Sequence, residues 1–184
     1  MRSGGLFARG SHSGGWISEF YDQASIWWGP DPQEPGVHEA RRATLERLAG
    51  PAPRRVLELG GGSGHTAAAL ADGGYTVVTI ELSPARAAYA RQLAARPRQG
   101  DLTCLEGDFL TIRWQGRFDA VCCWETFGLG TDAEQRHLLR RISGEWLAPG
   151  GLVLLDVYSP FRPARDAGTE ERLGQLAWLV RTGL

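Results

Sequence analysis

A glycine-rich stretch with an acidic residue near its start, VLELGGGSGHT (residues 56–66), is the segment best suited to bind a ligand. Glycine tolerates positive φ angles and lets a ligand approach the main chain closely. A helix predicted directly behind the stretch would add unpaired N–H groups and partial positive charge at its N-terminus. The stretch therefore predicts a ligand that contacts the backbone, with the carboxylate of Glu58 beside it.

Predicted strands and helices alternate around this stretch. Apolar, β-branched runs predict strands, and apolar residues at helical spacing, bounded by glycine or proline, predict helices. The predicted strands cover residues 54–60, 75–81, 102–108, 118–125 and 149–158. The predicted helices cover residues 16–28, 37–50, 63–74, 83–97, 131–147 and 169–180. Ser83 is expected to cap one of these helices, and Thr131 or Asp132 to open another with a capping box.

This alternation predicts an α/β fold, a doubly wound and mostly parallel sheet flanked by helices. In such sheets, ligands bind at the carboxyl ends of the strands, where the strand order reverses. The glycine-rich stretch falls at that place. We expect a disordered arm or tag-like segment over residues 1–14, a helical cap over 15–50, and the ligand-binding domain over 51–184.

Composition and charge exclude several classes of function. The net charge of −1 gives no case for nucleic acid or membrane binding, and there is no run of apolar residues long enough to span a bilayer. The three cysteines lack the spacing of zinc ligands, so we predict no metal and a reducing, cytoplasmic compartment. The chain contains no lysine, which excludes a lysine base. Its richness in glycine, alanine and arginine indicates a GC-rich bacterial genome.

A dinucleotide is one ligand that suits the glycine-rich stretch. The segment GSGHTA (62–67) fits G-x-G-x-x-A, and Glu81 ends the second predicted strand, where a ribose-binding acid belongs. Glu58 argues against this hypothesis, because a carboxylate that faces a pyrophosphate would be repelled. An NAD(P)-dependent oxidoreductase therefore stays an alternative, and a non-catalytic binding domain of the same fold is another.

S-adenosylmethionine is the second candidate ligand for the glycine-rich stretch. The segment ELGGGSG (58–64) resembles the first motif of class I S-adenosylmethionine-dependent methyltransferases, E/D-x-G-x-G-x-G. The resemblance, which covers about residues 54–158, implies that the Glu58 carboxylate lies near the methionine amino group. It also implies that the loop contacts the cofactor through Gly60, Gly61, Gly62 and Gly64.

Two further strand ends extend this resemblance to the adenosine half of the cofactor. Glu81 resembles the family's acid that accepts hydrogen bonds from both ribose hydroxyls, with Leu82 next to it. The segment GDF (107–109) resembles the motif in which the acid, here Asp108, accepts a hydrogen bond from the adenine amino group. Phe109 would then pack on the adenine ring.

The fourth and fifth strands also resemble family motifs. FDAVCCWE (118–125) resembles the motif whose strand end, here Cys123 and Trp124, lines the cofactor and the methyl-transfer site. LAPGGLVLLDV (147–157) resembles the family's turn into the fifth strand. Glu125, directly after the fourth strand, is a candidate general base or substrate ligand. An acidic residue at a solvated strand end would give the same sequence pattern, so both interpretations stay open.

The resemblance implies transfer of a methyl group from S-adenosylmethionine, by in-line displacement, to a small-molecule acceptor. The Asn/Asp-Pro-Pro-Tyr motif of many base and protein methyltransferases is absent. We therefore expect O-, N- or C-methylation of a natural product or metabolite, with a homodimer possible.

Residues of the predicted cap are candidates for the substrate pocket, because N-terminal helices of this family often cover the cofactor. The candidates are Tyr21, Trp28 and His38, and His38 is also a candidate base. His137 lies in a charged helix, EQRHLLRR, and is expected on the surface.

The end of the chain departs from the family pattern. The family's sheet usually closes with a sixth strand and an antiparallel seventh, whereas the residues after 158 fit one helix over 169–180. The C-terminal strands are therefore expected to be missing, and the fifth strand would have an open edge.

Overall fold

The computed structural model describes residues 14–30 and 36–157, together with the backbone of 177–180. The strands are β1 (Arg55–Leu59), β2 (Thr76–Glu81), β3 (Asp101–Glu106), β4 (Phe118–Cys123), β5 (Leu147–Asp156) and β6 (Ala177–Val180). The helices are α1 (Gly14–Trp28), α2 (Val37–Ala49), α3 (His65–Asp72), α4 (Pro84–Ala94) and α5 (Asp132–Arg141), and a π-helical turn (Ile142–Trp146) follows α5. None of the helices in these ranges is long and apolar enough to cross a membrane.

The strands form one sheet in the order β3-β2-β1-β4-β5-β6. The first five strands pair in parallel, and β6 is antiparallel to β5. The strand order reverses between β1 and β4, so the loops after these two strands diverge and leave a crevice. The predicted fold class is therefore confirmed, and the glycine-rich loop after β1 lies at the crevice.

The end of the chain corrects one prediction. Ala177–Val180 is a strand, whereas the sequence predicted a helix over 169–180; the remainder of that interval lies outside the described residues. The strand pairs with β5 from Val153↔Val180 to Asp156↔Ala177, so the edge of β5 is covered over these residues. A run of four apolar residues does not distinguish helix from strand by periodicity, and the partner strand supplies the backbone hydrogen bonds that decide the outcome.

The caps that were predicted for two helices are present. Ser83 Oγ accepts a hydrogen bond from the Arg86 N–H at 3.2 Å, at the start of α4. Thr131 and Glu134 form a reciprocal capping box at the start of α5. Helix α5 is shorter than predicted, because a π-helical turn replaces its last residues from Ile142 onward.

Two apolar layers cover the two faces of the sheet. Alternate residues of a strand face opposite layers, so Leu57 and Leu59 of β1 pack with α5, whereas Val56 packs with α2 and α3. Glu58 has the same parity as Val56. Its buried carboxyl group therefore lies on the side of the sheet that α2 and α3 cover.

Helix α1 is attached to the loop after β2 by polar contacts. The carboxylate of Asp22 accepts hydrogen bonds from the Ser83 hydroxyl and from the Ala85 N–H, at the N-terminus of α4. Arg86 Nε donates to Ser25 Oγ at 3.1 Å, and the guanidinium lies 4.7 Å from the centre of the Tyr21 ring. One face of α1 is thereby fixed over the carboxyl end of β2.

Arg141 joins α5 to the loop after β3. Its guanidinium donates to the carbonyl oxygens of Phe109 and Ile112 and to the carboxylate of Glu145, and lies 4.5 Å from the centre of the Trp146 ring. The side chain is almost fully buried. Loss of the guanidinium would leave these partly buried carbonyl groups without this donor.

Replacing Arg141 is expected to destabilise the fold. For Arg141→Ala we expect a loss of about 3 kcal/mol in the free energy of unfolding, because several partly buried hydrogen bonds of one buried guanidinium disappear together. Arg140→Ala removes the neighbouring, exposed arginine of the same helix and should change stability by less than about 0.5 kcal/mol. Urea denaturation followed by tryptophan fluorescence measures both values, and equal stabilities of the two variants would contradict this role.

Candidate functional site

A cavity of about 570 Å³ opens at the carboxyl ends of β1, β2, β3 and β4. Its volume falls within the range of roughly 300–1,000 Å³ that is usual for small-molecule sites. The walls come from the loops after these four strands and from α1 and α2. No cluster of three or more potential metal ligands occurs among the residues that the structure describes.

Most of the predicted site residues line this one cavity. They are Tyr21, Trp28, His38, Glu58, Gly60, Gly61, Gly62, Glu81, Leu82, Asp108, Phe109, Trp124 and Glu125. The acids from the ends of β1, β2 and β3 thus converge on one space, although they are far apart in sequence. Side chains therefore do not fill this cavity.

Two predicted cofactor residues lie outside the cavity wall. A Cβ atom on Gly64 would lie 2.8 Å from Cβ of Ala90, so this glycine allows α3 to pack closely on α4. Cys123 is buried in the apolar layer beside α5, and burial raises the pKa of its thiol to about 12. Both were assigned from motif position, which does not reveal the direction in which a residue points.

Glu58 is a buried carboxyl group in the cavity wall. It is 2% exposed, and its Oε2 accepts a hydrogen bond from Thr79 Oγ1 at 3.0 Å. Burial raises the pKa of Glu58 to about 7, against the lowering effects of the Thr79 hydroxyl and the Arg41 charge. The hydrogen bond runs to the neighbouring strand rather than to a helix end. A cationic ligand group beside Glu58 would stabilise its ionised form.

Glu81 holds together the two loops that meet at the crevice. One carboxylate oxygen accepts from the Gly62 N–H at 2.8 Å, and the other accepts from the Ser83 N–H at 2.8 Å. Burial raises the pKa of Glu81, and these backbone donors act in the opposite direction. Each carboxylate oxygen can accept more than one hydrogen bond. The Glu81 carboxylate is therefore held in place by the protein and can still accept hydrogen bonds from two hydroxyl groups of a ligand.

The glycines of the loop differ in what they do. A Cβ atom on Gly61 would lie 1.8 Å from Thr79 Oγ1, and one on Gly60 would lie 2.5 Å from Thr126 Oγ1. Both positions therefore require glycine for packing within the protein. Around Gly62, with φ of +56°, the nearest atom would be Arg86 Nη1 at 3.6 Å. Gly62 is consequently the loop position with the most space beside its Cα.

Asp108 and Phe109 form the third strand end of the site. Asp108 Oδ1 accepts from the Leu110 N–H at 2.7 Å, which closes a turn after β3. Phe109 lines the cavity and packs partly against the apolar layer beside α5. Asp108 thus has a local structural role in addition to its place in the cavity wall.

Arg41 is a site residue that the sequence analysis missed. Its guanidinium is buried, lines the cavity, and lies 5.5 Å from the centre of the Trp124 ring. Nη1 donates to Thr66 Oγ1 at 3.3 Å, and Nη2 forms an ion pair with Oε2 of Glu125 at 3.3 Å without a hydrogen bond. His38, Arg41 and Leu45 share one face of α2 by their spacing, a signal that could have identified Arg41.

Arg41 and Trp124 contribute N–H donors without acceptors to the same cavity wall. Arg41 Nε and Nη2 and Trp124 Nε1 are buried nitrogens that lack a hydrogen-bond acceptor among the described residues. Buried polar groups normally find partners, so unpaired donors in a cavity wall indicate an anionic or carbonyl-bearing ligand group. A carboxylate is one ligand group that can accept hydrogen bonds from such donors.

Two of the histidines, His38 and His65, lie at the cavity wall, whereas His137 lies on the surface of α5. His38 Nδ1 lies 2.8 Å from Thr66 Oγ1, and the rings of His38 and His65 stack with centres 5.6 Å apart, at the cavity wall. His137 is exposed on α5, as predicted, and its Nε2 lies 3.2 Å from the Leu110 carbonyl oxygen.

Glu125 has an unusual backbone conformation at the end of β4. Its φ angle is +58°, a value that is uncommon for a residue with a side chain. Such conformations cost free energy and concentrate at functional sites. The side chain is 30% exposed and lines the cavity.

Comparisons with known proteins agree with this geometry. Residues 33–182 match a family described as methyltransferase domain. The cypemycin N-terminal methyltransferase of a Streptomyces species is 33% identical over 116 residues, which are 62% of this chain and 46% of that protein. The ubiquinone biosynthesis O-methyltransferase of Xanthomonas axonopodis pv. citri is 31% identical over 144 residues, which are 76% of this chain and 59% of that protein.

A solved structure extends the comparison to the fold. The CcbJ methyltransferase from Streptomyces caelestis aligns with a TM-score of 0.61 and 30% identity, over 82% of this chain and 59% of that one. The chain thus spans about half the length of the curated relatives it matches. Because the family match covers residues 33–182 of 184, the chain belongs to the methyltransferase domain family.

Proposed function

We propose that the chain binds S-adenosylmethionine and transfers its methyl group to a small-molecule acceptor. The observation that carries this proposal is the convergence of Glu58, Glu81 and Asp108, from three adjacent strand ends, on one cavity beside the glycine loop. Their order along the sheet matches the order in which the methionine, ribose and adenine parts of the ligand would follow one another.

The side chains of the cavity fit each part of this ligand. Glu58 would bind the methionine ammonium group, and Arg41 with Trp124 would donate to the methionine carboxylate, which satisfies their unpaired N–H groups. Glu81 would accept from both ribose hydroxyls, since its carboxylate is already fixed by two backbone donors. Asp108 would accept from the adenine amino group.

The dinucleotide alternative fits less well. A pyrophosphate at the glycine loop would lie close to the buried Glu58 carboxyl group, and its charge would disfavour the ionised form of that group. The ammonium group of S-adenosylmethionine has the opposite effect. The electrostatics of the site therefore favour the sulfur ligand.

The protein's own contribution to the reaction is mainly alignment. When bound, S-adenosylmethionine supplies an electrophilic methyl group, which the acceptor's lone pair takes as the carbon–sulfur bond breaks and its electron pair stays on sulfur. Glu58, Glu81 and Asp108 hold the donor, and Tyr21 and Trp28 contact the acceptor. Alignment of two reactants accounts for a large share of such rate enhancements. Glu125 and His38 are the candidate bases.

The acceptor is proposed to be a natural product or metabolite. The two relatives named above are an enzyme of cypemycin and one of ubiquinone biosynthesis, and the cavity opens under α1 and α2, which we propose act as the substrate-side cap.

The three cysteines are unpaired thiols, which suits a reducing cytoplasm. A homodimer stays a proposal.

Glu81 provides the direct test of the cofactor assignment. In calorimetric titrations, the wild type should bind S-adenosylmethionine and S-adenosylhomocysteine with micromolar affinity, and Glu81→Ala should weaken both by about 100-fold or more, because two ligand hydroxyls and two loop N–H groups lose their acceptor.

Glu106→Gln is the matched control, because Glu106 pairs with Glu81 in register on β3 but is exposed and bound to Arg91. It should bind both ligands as the wild type does. Binding of NAD without binding of the sulfur ligands would overturn the proposed function, and thermal unfolding of each variant checks that it is folded.

Cofactor affinity is expected to depend on pH through Glu58. Because burial raises its pKa to about 7, the carboxyl group is largely neutral below that pH and cannot pair with an ammonium group. Affinity for S-adenosylhomocysteine should therefore fall as the pH decreases from 8 to 5.5, approaching about tenfold per pH unit.

Glu58→Gln should bind weakly at every pH, with a shallower profile. Burial also raises the pKa of Glu81, which both proteins retain, so the difference between the two profiles isolates Glu58. Equal slopes in the wild type and in Glu58→Gln would contradict the assignment of Glu58 to the ammonium group.

A further inference from the structure

We propose that Gln135, on α5, is a specificity-determining residue that recognises the nucleobase of the methyl donor through its side-chain amide. The proposal rests on the S-adenosylmethionine-binding function proposed above and adds a residue that no sequence motif identified. It gives a role to an amide oxygen that has no hydrogen-bond donor among the residues that the structure describes.

Gln135 lies where the inward face of α5 reaches the cavity. Gln135, Leu138 and Ile142 follow one another at helical spacing and therefore share one face. Leu138 and Ile142 are 1% exposed and belong to the apolar layer beside α5. Gln135, one turn before Leu138, lines the cavity. A polar residue thus occupies the inward position of α5 at the carboxyl edge of the sheet.

The amide oxygen of Gln135 is buried at the cavity wall. Oε1 is almost inaccessible to solvent and lacks a hydrogen-bond donor in the described part of the chain. A Cβ atom on Gly130 would lie 3.2 Å from Gln135 Nε2, so glycine at that position leaves room for the amide. Buried polar atoms normally have hydrogen-bond partners. The oxygen therefore indicates a ligand group that donates a hydrogen bond.

Contacts hold this part of α5 against the loop that follows β3. His137 Nε2 lies 3.2 Å from the Leu110 carbonyl oxygen, and the Arg141 guanidinium donates to the Phe109 carbonyl oxygen. Phe109 and Leu110 line the cavity together with Gln135. The helix and the loop therefore form one wall of the cavity.

The two faces of the sheet distinguish the nucleobase from the acceptor. Helices α1 and α2 contact α4 and α3, so the candidate acceptor residues Tyr21 and Trp28 belong to the cap on one face of the sheet. Helix α5 packs on the other face, together with Phe109. Gln135 thus approaches the cavity from the side of Asp108 and Phe109, where the adenine base is proposed to lie.

A glutamine amide matches the edge of adenine. Adenine presents an amino donor beside a ring nitrogen that accepts, and the oxygen and NH₂ group of glutamine pair with this arrangement. The amino group has two N–H bonds, so Asp108 and Gln135 Oε1 can each accept one of them. A base without the amino group would leave both acceptors without this donor. Sites that are built to bind an N–H group reject ligands that lack it.

Two ligands that differ in one group test the proposal by calorimetric titration. They are S-adenosylhomocysteine and its 6-deamino analogue, in which purine replaces adenine. The wild type should bind S-adenosylhomocysteine about 100-fold more tightly than the analogue, since each of two buried acceptors that lose their donor accounts for about tenfold.

Variants of Gln135 locate its share of this preference. Gln135→Met has a similar length and suits a helix but offers no amide, so the preference should fall to about tenfold. Gln135→Glu keeps an acceptor oxygen and should keep the wild-type preference. Gln92→Met is the matched control, since Gln92 is an exposed glutamine of α4 outside the cavity wall. It should leave the affinities for both ligands unchanged.

The outcomes separate this inference from the proposed function. Binding of S-adenosylhomocysteine with a wild-type preference in Gln135→Met would overturn the role of Gln135 alone. Equal losses of preference in Gln135→Met and Gln135→Glu would do the same, because they would show that the shape of the side chain matters and its acceptor oxygen does not. Absence of S-adenosylhomocysteine binding to the wild type would overturn both proposals.

Discussion

The carboxylate of Glu81 is the group on which the organisation of the site depends. It accepts the N–H of Gly62 from the loop after β1 and the N–H of Ser83 from the loop after β2, so it joins the two loops that diverge at the crevice. Ser83 in turn donates to Asp22 of α1. A single buried acid thus links the sheet, the glycine loop and the helical cap, and it does so with oxygens that can still accept from a ligand.

Arginine side chains hold other parts of the cavity wall in place. Arg141 fixes the loop that carries Asp108 and Phe109 through two carbonyl groups, and Arg86 fixes α1 through Ser25 and the Tyr21 ring. A guanidinium suits this role because its planar set of donors can satisfy several acceptors at once. Arg41 is different, because two of its nitrogens at the cavity wall lack a hydrogen-bond acceptor among the described residues, as the proposed binding of a ligand carboxylate would require.

Motif position predicted the strand ends correctly but not the orientation of every residue. Glu58, Glu81 and Asp108 were assigned from the resemblance of their segments to family motifs at predicted strand ends, and the parallel strands bring these three acids to one edge of the sheet. Gly64 and Cys123 were assigned by the same reasoning, yet one packs against Ala90 and the other lies in the core. Arg41 was missed because its significance lies in incompletely paired nitrogens, a property that depends on residues from other elements.

The sequence by itself determined the alternation of strands and helices, the parallel sheet, the caps of α4 and α5, and the place of the glycine loop at the crevice of the sheet. These features follow from local patterns, since apolar periodicity, capping residues and glycine act within a few positions of the chain. Only the tertiary structure decided that Ala177–Val180 is a strand beside β5, that Glu81 bridges two loops, and that the charge of Arg41 acts on Glu58 from another element. These are properties of long-range contacts, because pairing, burial and electrostatic environment are set by residues that are distant in sequence and adjacent in space.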